Sequence, residues 1–419
     1  MTKYIAVLDI GTVGIRVLIG KISSENFEIV GKSSVDCKGI RKFAIVDAGA
    51  VKSAISQAVK SAENLCDVKV KSLYTGIRGI YTNFQNNRDS IITPKDELIN
   101  YSILGKLLDK VATIDIYEDE KLVDVVPIKY FLDDETAVND PIGLHASSLS
   151  LEAEIILGHN EFIKSISECI SAVGYKVDGF VPFSVAMSNL LPEDNSEKRT
   201  TMLIDVGGTA TDYILYYKNR PVFTSSIQAG GDHITGDLAQ IFKISPNEAE
   251  TIKKDYPFAL PSLVTNDIDV SVYSLESGSR IILKVSELIE VMQARIENIF
   301  EKIKESVSEE GFTLDGIGRI ILTGQGIIKY KGLDKVIRNI FDIDYYEVDF
   351  SKLTGLKSVY TMSYAMLKYI SCQLVYGRKA SDVEQKINEY EKKSLSQKVT
   401  FSLKKFLKNL LNLRRKNNN

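Results

Sequence analysis

The chain has 419 residues, 44% hydrophobic and 26% charged, which is the composition of an ordinary globular protein with two to four domains or subdomains. Its last 22 residues carry seven basic and no acidic side chains, which leaves 45 basic against 55 acidic residues, a net charge of −10, on the remainder. An acidic body argues against nucleic-acid binding, and no apolar run is long enough to cross a bilayer.

The four cysteines and three histidines are scattered, without the spacing of metal ligands or of a disulfide framework. No signal peptide is recognisable before Asp9. These features predict reduced thiols in a cytoplasmic protein.

The first motif is an apolar strand that ends in Asp9 and turns through Gly11, Thr12 and Val13. Residues 4–20 therefore predict a β-hairpin, because a second apolar run follows the glycine turn. A third strand at 27–32, a helix at 50–65 and a strand at 70–76 follow. Three antiparallel strands, a helix and a further strand predict a mixed α/β sheet.

The next eighty or so residues have a plan of their own, with a strand at 90–92, a helix at 96–111 and strands at 122–131 and 149–157. This pattern predicts a small inserted α/β subdomain. Beyond it we expect a helix at 162–173, a strand at 175–181, a helix at 184–191 and a polar connector at 192–199.

A second hairpin, at 201–216, has the same sequence pattern as the first. An apolar strand leads to Asp205 and then to Gly207, Gly208 and Thr209. The glycines would let backbone N–H groups approach an anion, and the carboxylate could hold a hydrated cation. Taken alone, the stretch is equally compatible with a plain hairpin and an Asp-rich turn. The duplication makes a phosphate-binding pair the better interpretation.

Two further glycine segments follow the second hairpin. Gly230 and Gly231 stand at the predicted start of a helix, a position that suits phosphate binding. Gly324, Gln325 and Gly326 follow a strand at 320–323. A long amphipathic helix is predicted at 286–307 and a final helix at 359–370.

Together, the two Asp-Gly-Thr-type hairpins and the late Thr-Gly-x-Gly turn resemble the phosphate and adenosine motifs of the actin-like ATPase superfamily. The resemblance implies an α/β, actin-like ATPase fold with two duplicated halves around a nucleotide cleft. An insert at this position is similar to that of the FtsA family of cell division proteins and of the related pilus-assembly PilM proteins. Segments at 39–47, 126–133, 140–144, 228–238 and 293–297 look like those of FtsA.

The resemblance implies a division of the chain into nine segments. They are subdomain IA (1–81), an inserted 1C-type subdomain (82–158), IA continued (159–198), IIA (199–228), IIB (229–302), IIA continued (303–348), a return to IA (349–376), a flexible linker (377–397) and an amphipathic membrane-targeting helix (398–416).

It also implies ATP or ADP with Mg²⁺ as cofactors. Asp9 and Asp205 would position magnesium and water. Nucleotide contacts would come from a larger set: Gly11, Thr12, Val13, Asp205, Gly207, Gly208, Thr209, Gly230, Gly231, Glu250, Lys253, Gly324, Gln325 and Gly326. The loop of the family usually has three glycines and a threonine, whereas this chain has Gly207, Gly208, Thr209 and Ala210, so we expect at most slow hydrolysis.

Some residues keep a second interpretation. Glu250 and Lys253 are spaced i and i+3 and could form a solvated ion pair rather than line the adenosine. Arg295, implied to bind the C-terminal peptide of the division protein FtsZ, could be a structural arginine paired to Glu297 or another neighbour. A pilus scaffold, or a metabolic kinase of the same superfamily, remains an alternative function.

The tail completes the implied function: a self-assembling adaptor that tethers FtsZ filaments to the cytoplasmic face of the membrane at the division site and recruits later division proteins. On a helical wheel, Leu403, Phe406, Leu407, Leu410 and Leu411 share one side, with Lys404, Lys405 and Lys408 on the other. A basic amphipathic helix too short to span a bilayer predicts reversible binding to an anionic membrane surface. A core helix or a partner-binding helix is the alternative.

Overall fold

The computed structural model describes residues 3–23, 27–41, 43–94, 97–192, 200–327, 329–348 and 350–381. In chain order the first elements are β1 (Lys3–Ile10), β2 (Gly14–Ile22), β3 (Phe27–Asp36), β4 (Ile40–Arg41), β5 (Ala44–Ile45), α1 (Ala48–Glu63), β6 (Ser72–Ile77), β7 (Thr82–Ile92), α2 (Tyr101–Val111), β8 (Glu120–Leu132), β9 (Thr136–Val138), β10 (Ser148–His159), α3 (Asn160–Ala172), β11 (Lys176–Pro182) and α4 (Phe183–Ser188).

The remaining elements are β12 (Thr200–Val206), β13 (Thr211–Tyr217), β14 (Arg220–Ile227), α5 (Gly231–Phe242), α6 (Pro246–Asp255), β15 (Asp269–Ser274), β16 (Ser279–Lys284), α7 (Val285–Glu309), β17 (Ile317–Thr323), α8 (Leu333–Phe341), β18 (Tyr345–Glu347), α9 (Phe350–Thr354) and α10 (Thr361–Ser381). The described residues form two compact units, with 3–39, 44–189 and 362–381 in the first and 40–43 and 190–361 in the second.

Each unit is built on a five-stranded sheet with the same plan. The order is β3-β2-β1-β6-β11 in the first unit and β14-β13-β12-β17-β18 in the second. In both, the central strand pairs antiparallel with the next strand of its hairpin and parallel with a strand much later in the chain. The duplication predicted from the two hairpins is therefore confirmed by sheet topology.

In the first unit, α1 shows how local sequence determines an element. The Asp47 carboxylate accepts the Ala50 N–H at 2.9 Å and so caps the helix start. Val51, Ile55 and Val59 recur at helical spacing, and all three are fully buried. The helix begins at Ala48, two residues before the predicted start, because the cap is Asp47.

The insert is a four-stranded antiparallel sheet, in the order β7-β10-β8-β9, with α2 against it. The predicted start of its helix at residue 96 was wrong. The helix begins at Tyr101, since the Asn100 side chain accepts the N–H groups of Ser102 and Ile103 at 2.9 and 3.1 Å. The strand predicted at 90–92 begins earlier, at Thr82. Its polar sequence gives no alternation signal, but pairing with β10 orders it.

The second unit has one large core around α7. Leu288, Met292, Ile296, Ile299 and Ile303 lie on the buried side of this helix at helical spacing, and none is exposed to solvent. Six elements of this unit have no counterpart among the sequence predictions: β14, the two strands of the β15–β16 hairpin, α8, β18 and α9. They are short, and all except α9 contribute residues to this shared core, which orders them.

The last helix is longer than predicted. It covers Thr361–Ser381 rather than residues 359–370, so the linker boundary expected at 377 lies inside it. The rest of the predicted linker and the predicted tail helix lie outside the described residues. Within the described part of the chain, no helix is both long and apolar enough to span a membrane.

A buried carboxyl links the insert to α10. Asp124 of β8 accepts the Tyr369 hydroxyl hydrogen bond at 2.6 Å, and the Val125 N–H at 2.8 Å. Burial raises the pKa of Asp124 to about 6, and both hydrogen bonds oppose this rise without cancelling it. The folded protein therefore binds this proton more tightly than the unfolded chain does.

The stabilisation from the Asp124 proton should be complete below about pH 4 and lost as the pH rises through 6. We predict that the free energy of unfolding of the parent protein, relative to Asp124→Asn, falls by roughly 2–3 kcal/mol between about pH 4 and 7. Urea unfolding at several pH values measures this difference. Asp115→Asn, at an exposed position of the same insert, is the control. The difference in unfolding free energy between the parent protein and Asp115→Asn should not change with pH. A change as large as that for Asp124→Asn would contradict the assignment.

Candidate functional site

The central strand of each unit ends in an Asp and a tight glycine turn of the same geometry. In the first unit, the Gly11 N–H donates to the Gly14 carbonyl at 2.9 Å, two residues after Asp9. In the second, the Gly207 N–H donates to the Ala210 carbonyl, also at 2.9 Å, two residues after Asp205. The two turns predicted from sequence are thus equivalent structures as well as similar sequences.

In the second unit, three glycine segments come together on their backbones. The Gly231 N–H donates to the Gly207 carbonyl at 3.0 Å, and the Asp232 N–H to the Gly208 carbonyl at 2.7 Å. The Gly326 N–H donates to the Val206 carbonyl at 2.8 Å. We call this arrangement of segments 206–208, 230–232 and 324–326 the glycine junction.

The glycine junction leaves no room for side chains at its centre. A Cβ on Gly230 would lie 2.5 Å from the Gly207 carbonyl oxygen and 2.6 Å from that of Gly208. One on Gly326 would lie 2.5 Å from the Gly207 oxygen. Gly324 has a φ of +96°, in the left-handed region that glycine favours. Three segments separated by many residues therefore depend on glycine for one packing arrangement.

This geometry gives the glycines at the start of α5 a role that the sequence did not predict. Gly230 and Gly231 were expected to bind phosphate, but the N–H groups of Gly231 and of the next residue, Asp232, donate to carbonyls of the turn after β12. They hold the turn against the helix. Gly208 and Thr209, at the tip of that turn, are half-buried.

Glu250 and Lys253 of α6 do form the ion pair that was the second interpretation, at 2.5 Å. The pair is not a solvated one, because Lys253 is 8% exposed. Its ammonium also donates to the Thr235 hydroxyl at 2.7 Å and to the Gly231 carbonyl at 3.1 Å. Lys253 thus ties α6 to the first turns of α5, beside the glycine junction.

The Glu250 carboxylate is shared among several donors. The Thr235 hydroxyl donates at 2.5 Å to Oε2, the oxygen that pairs with Lys253, and the Lys254 ammonium lies 3.1 Å from Oε1. Burial raises the pKa of Glu250, but hydrogen bonds from Lys253, Thr235 and Lys254 outweigh burial, and the net pKa is below its usual value. The carboxylate therefore stays ionised near neutral pH, and its one-third exposed side chain can meet a ligand.

The first-unit turn contains a residue that was not predicted from sequence. Arg16 lies opposite Asp9 in the β1–β2 pairing, with the guanidinium Nη1 3.9 Å from the Asp9 carboxylate. The same nitrogen donates to the Gly14 carbonyl at 3.1 Å. Its Nε is buried and has no hydrogen-bond partner among the described residues. Thr12 is half-buried and Val13 exposed at the tip.

Arg16 therefore brings a positive charge into a loop that looked neutral. The available signal was hairpin register: a four-residue turn at 11–14 places residue 16 across from residue 9.

Gln325 and His233 also have defined places in the second unit. The Gln325 amide, in the third glycine segment, donates to the Ser358 hydroxyl at 3.0 Å. His233 accepts the Gly230 N–H through Nδ1 at 3.2 Å. Burial and Arg295 lower the pKa of His233, so the imidazole is neutral at pH 7 and helps to cap α5.

Arg295 of α7 pairs across helices rather than with Glu297. Its Nε and Nη2 donate to the two oxygens of Asp237 in α5, at 2.6 and 2.9 Å. Its Nη1 donates to Asn298 at 3.2 Å, while Glu297 accepts from Gln293. The Arg295 side chain as a whole is 26% exposed. The predicted membrane residues, Leu403, Lys404, Lys405, Phe406, Leu407, Lys408, Leu410 and Leu411, lie outside the described residues.

Comparisons with known proteins agree with this organisation. The sequence model of the family "Cell division protein FtsA" matches residues 202–366, and that of the "SHS2 domain inserted in FTSA" matches residues 79–157. A cell division protein FtsA of Neisseria meningitidis is 29% identical over 345 residues, which cover 81% of this chain and 82% of that protein. One of Borreliella burgdorferi is 27% identical over 339 residues, covering 80% and 82%.

Solved structures show the same fold at low sequence identity. A PilM-PilN type IV pilus biogenesis complex has a TM-score of 0.55 and 12% identity, covering 90% of this chain and 98% of its own. MreB 5 of Spiroplasma citri bound to AMPPNP has a TM-score of 0.52 and 14% identity, covering 90% and 99%. The fold is that of the actin-like ATPases.

The glycine junction predicts a large effect from one methyl group. Gly230→Ala should destabilise the second unit by about 1–3 kcal/mol, because the new Cβ meets two backbone carbonyls that cannot move independently. Gly236→Ala, six residues further into α5, is the matched control, since a Cβ there meets nothing within 4 Å. It should be neutral or stabilise the helix by up to about 1 kcal/mol. Denaturant unfolding compares them, and equal effects would contradict the packing explanation.

Proposed function

The chain belongs to the FtsA family of cell division proteins, and on that premise we propose that it binds ATP and tethers FtsZ filaments to the inner face of the cytoplasmic membrane. The observation that supports nucleotide binding most directly is the repeated Asp-Gly turn at the end of both central strands. Glycine turns beside a strand-end carboxylate suit a magnesium nucleotide, because N–H groups reach the phosphates and the acid holds the hydrated metal.

The residues of each turn fit this ligand. In the first unit, the buried Nε of Arg16 has no partner among the described residues, and a phosphate oxygen beside Gly11 and Thr12 would satisfy it. In the second, the half-buried tip at Gly208 and Thr209 offers backbone N–H groups next to Asp205. Glu250, Gly324 and Gln325 would contact the adenosine. Lys253 would act through its hold on Gly231.

Magnesium would be held through water by Asp9 and Asp205. Its charge would offset that of the phosphates and orient water for hydrolysis when bound. Hydrolysis is expected to be slow. The Gly231 and Asp232 N–H groups already donate to carbonyls, and Thr209 stands where the loop of the family usually has a third glycine. Fewer preorganised donors therefore face the γ-phosphate.

Arg295 would receive the acidic C-terminal peptide of FtsZ on the surface of residues 229–302. The guanidinium is fixed in position by Asp237, and the Arg295 side chain is 26% exposed. An incoming carboxylate would either pair with the guanidinium beside Asp237 or displace Asp237. A fixed, partly desolvated arginine loses less side-chain entropy on binding than a free surface arginine.

The tail would supply the membrane contact. Several leucine-sized side chains buried in the interface contribute roughly 1.5–3 kcal/mol each, and each basic residue up to about 1 kcal/mol near anionic lipid. One such helix binds reversibly, and a polymer that presents many tails binds more tightly. The insert would contribute to self-assembly and to recruitment of later division proteins.

The proposed nucleotide site predicts that substitutions of Asp205 and Arg16 differ in how their effect on ATP affinity depends on magnesium. Asp205→Ala should weaken binding of Mg-ATP at least tenfold but that of metal-free ATP little, because its role acts through magnesium. Arg16→Gln should weaken both about tenfold or more, because a charge-assisted hydrogen bond is lost directly. Arg280→Gln, on the exposed β16, is the control. Calorimetry with and without EDTA measures these affinities, and unchanged affinity in both site variants would refute the assignment.

If the chain tethers FtsZ to the membrane, FtsZ should sediment with anionic vesicles only when the C-terminal tail and Arg295 are both intact. Phe406→Glu should leave the protein and FtsZ in the supernatant. Arg295→Glu should leave the protein on vesicles but release FtsZ, whereas Asp237→Asn should retain it by freeing Arg295. Phe401→Glu, on the polar side of the predicted helix, is the matched control and should sediment normally. Co-sedimentation of FtsZ with both Phe406→Glu and Arg295→Glu would overturn the proposal.

A further inference from the structure

Strand β7 is an open edge of the inserted sheet. Its eleven residues pair with β10 on one side without a register shift, and the sheet order places no strand on the other side among the described residues. Exposed edges are pairing templates that proteins usually shorten, bulge or cover. A long, regular edge strand therefore calls for an explanation.

The hydrogen bonds identify which backbone groups face outward. The Thr93 N–H donates to the Ser147 carbonyl at 3.1 Å, immediately beyond the strand and in register with it. In an antiparallel pair the bonded residues alternate, so the odd-numbered residues of β7 bond to β10. The N–H and C=O groups of Phe84, Asn86, Arg88 and Ser90 face away from it.

One end of this edge is already closed. The Ser90 carbonyl accepts the Lys110 ammonium at 2.7 Å, and its N–H donates to the Asp89 carboxylate, also at 2.7 Å. Lys110 and Asp89 pair with each other at 2.8 Å. Their charges block strand pairing at Ser90. In the described part of the chain, the outward groups of Phe84, Asn86 and Arg88 have no hydrogen-bond partner.

The three open residues are self-complementary. An antiparallel register centred on Asn86 pairs Asn86 with its own copy and Phe84 with Arg88, so each open residue meets an open residue. A register centred on Arg88 would place two guanidinium groups opposite each other. A register that pairs Phe84 with Asn86, or Asn86 with Arg88, leaves the third open residue without an open partner. Arg88 already stacks on the Phe131 ring at 4.2 Å, which shows that its side chain can lie over an aromatic face.

We propose that β7 pairs with β7 of a second copy of this chain, antiparallel and centred on Asn86. The two inserted sheets would then join into one continuous sheet of eight strands across a two-fold axis. Three open residues per copy give a weak contact by themselves. The contact becomes effective when assembled molecules present many edges. This inference rests on the proposed self-assembly and names its surface.

Cysteine cross-linking tests the register. Asn86→Cys in a Cys372→Ser background, which removes the exposed native thiol, should form a disulfide-linked dimer under mild oxidation. Bonded antiparallel pairs place the two Cα atoms about 5.5 Å apart, within disulfide range. Arg88→Cys is the matched control. Its copies would lie about 14 Å apart along the strands and should not cross-link.

Proline at the same position tests the backbone bonds separately. Asn86→Pro removes an outward N–H that β10 does not use, so the fold should persist while self-association weakens about tenfold or more. Asn86→Ala keeps the N–H and should associate normally. Sedimentation measures association, and thermal unfolding verifies folding.

The outcomes separate the inference from the function it rests on. A parent protein that stays monomeric on anionic vesicles would overturn both the self-assembly proposal and the β7 contact. A parent protein that assembles, with Asn86→Cys failing to cross-link or cross-linking no faster than Arg88→Cys, would overturn the β7 contact alone. A folded Asn86→Pro variant that assembles as well as the parent protein would also overturn the β7 contact alone.

Discussion

Backbone-to-backbone packing at the glycine junction is the constraint on which the second unit depends. Carbonyls of Val206, Gly207 and Gly208 receive N–H groups from two segments that follow much later in the chain. Such close approach is possible only where no Cβ intervenes. The turn after Asp205 is therefore held from two sides before any ligand arrives. Preorganisation of this kind reduces the entropy that binding would otherwise cost.

Helix α5 is held to its neighbours by the charged residues that the sequence suggested for ligands. Lys253 joins it to α6 through Thr235 and the Gly231 carbonyl, and Arg295 joins it to α7 through Asp237. These contacts are partly shielded from water, so they are stronger than exposed ion pairs. A ligand at either place meets side chains whose positions are already fixed. Support of the fold and recognition of a ligand are compatible in such residues.

The insert is attached to its unit through apolar and polar contacts at one end of its sheet. Ile156 and Val123 pack against Ile77, Ile163 and Val185 of the surrounding elements. Nearby, a buried carboxyl of β8 accepts a tyrosine hydroxyl of α10. The edge of the sheet formed by β7 has no strand partner among the described residues. A subdomain fixed at one side and open at another is suited to contacts between molecules.

The sequence by itself determined the features that are local in the chain. Apolar runs before Asp9 and Asp205, glycines after them and helical spacing in α1 and α7 predicted hairpins, turns and helices, because these patterns depend on near neighbours. Only the tertiary structure decided which distant residues and segments interact with one another. Arg295 meets Asp237, 58 residues away, rather than the nearby Glu297. Helix-start glycines bond to a distant turn, and a polar strand becomes β7 by pairing with β10. Such choices depend on which distant segments the shared core brings together, and no local pattern encodes them.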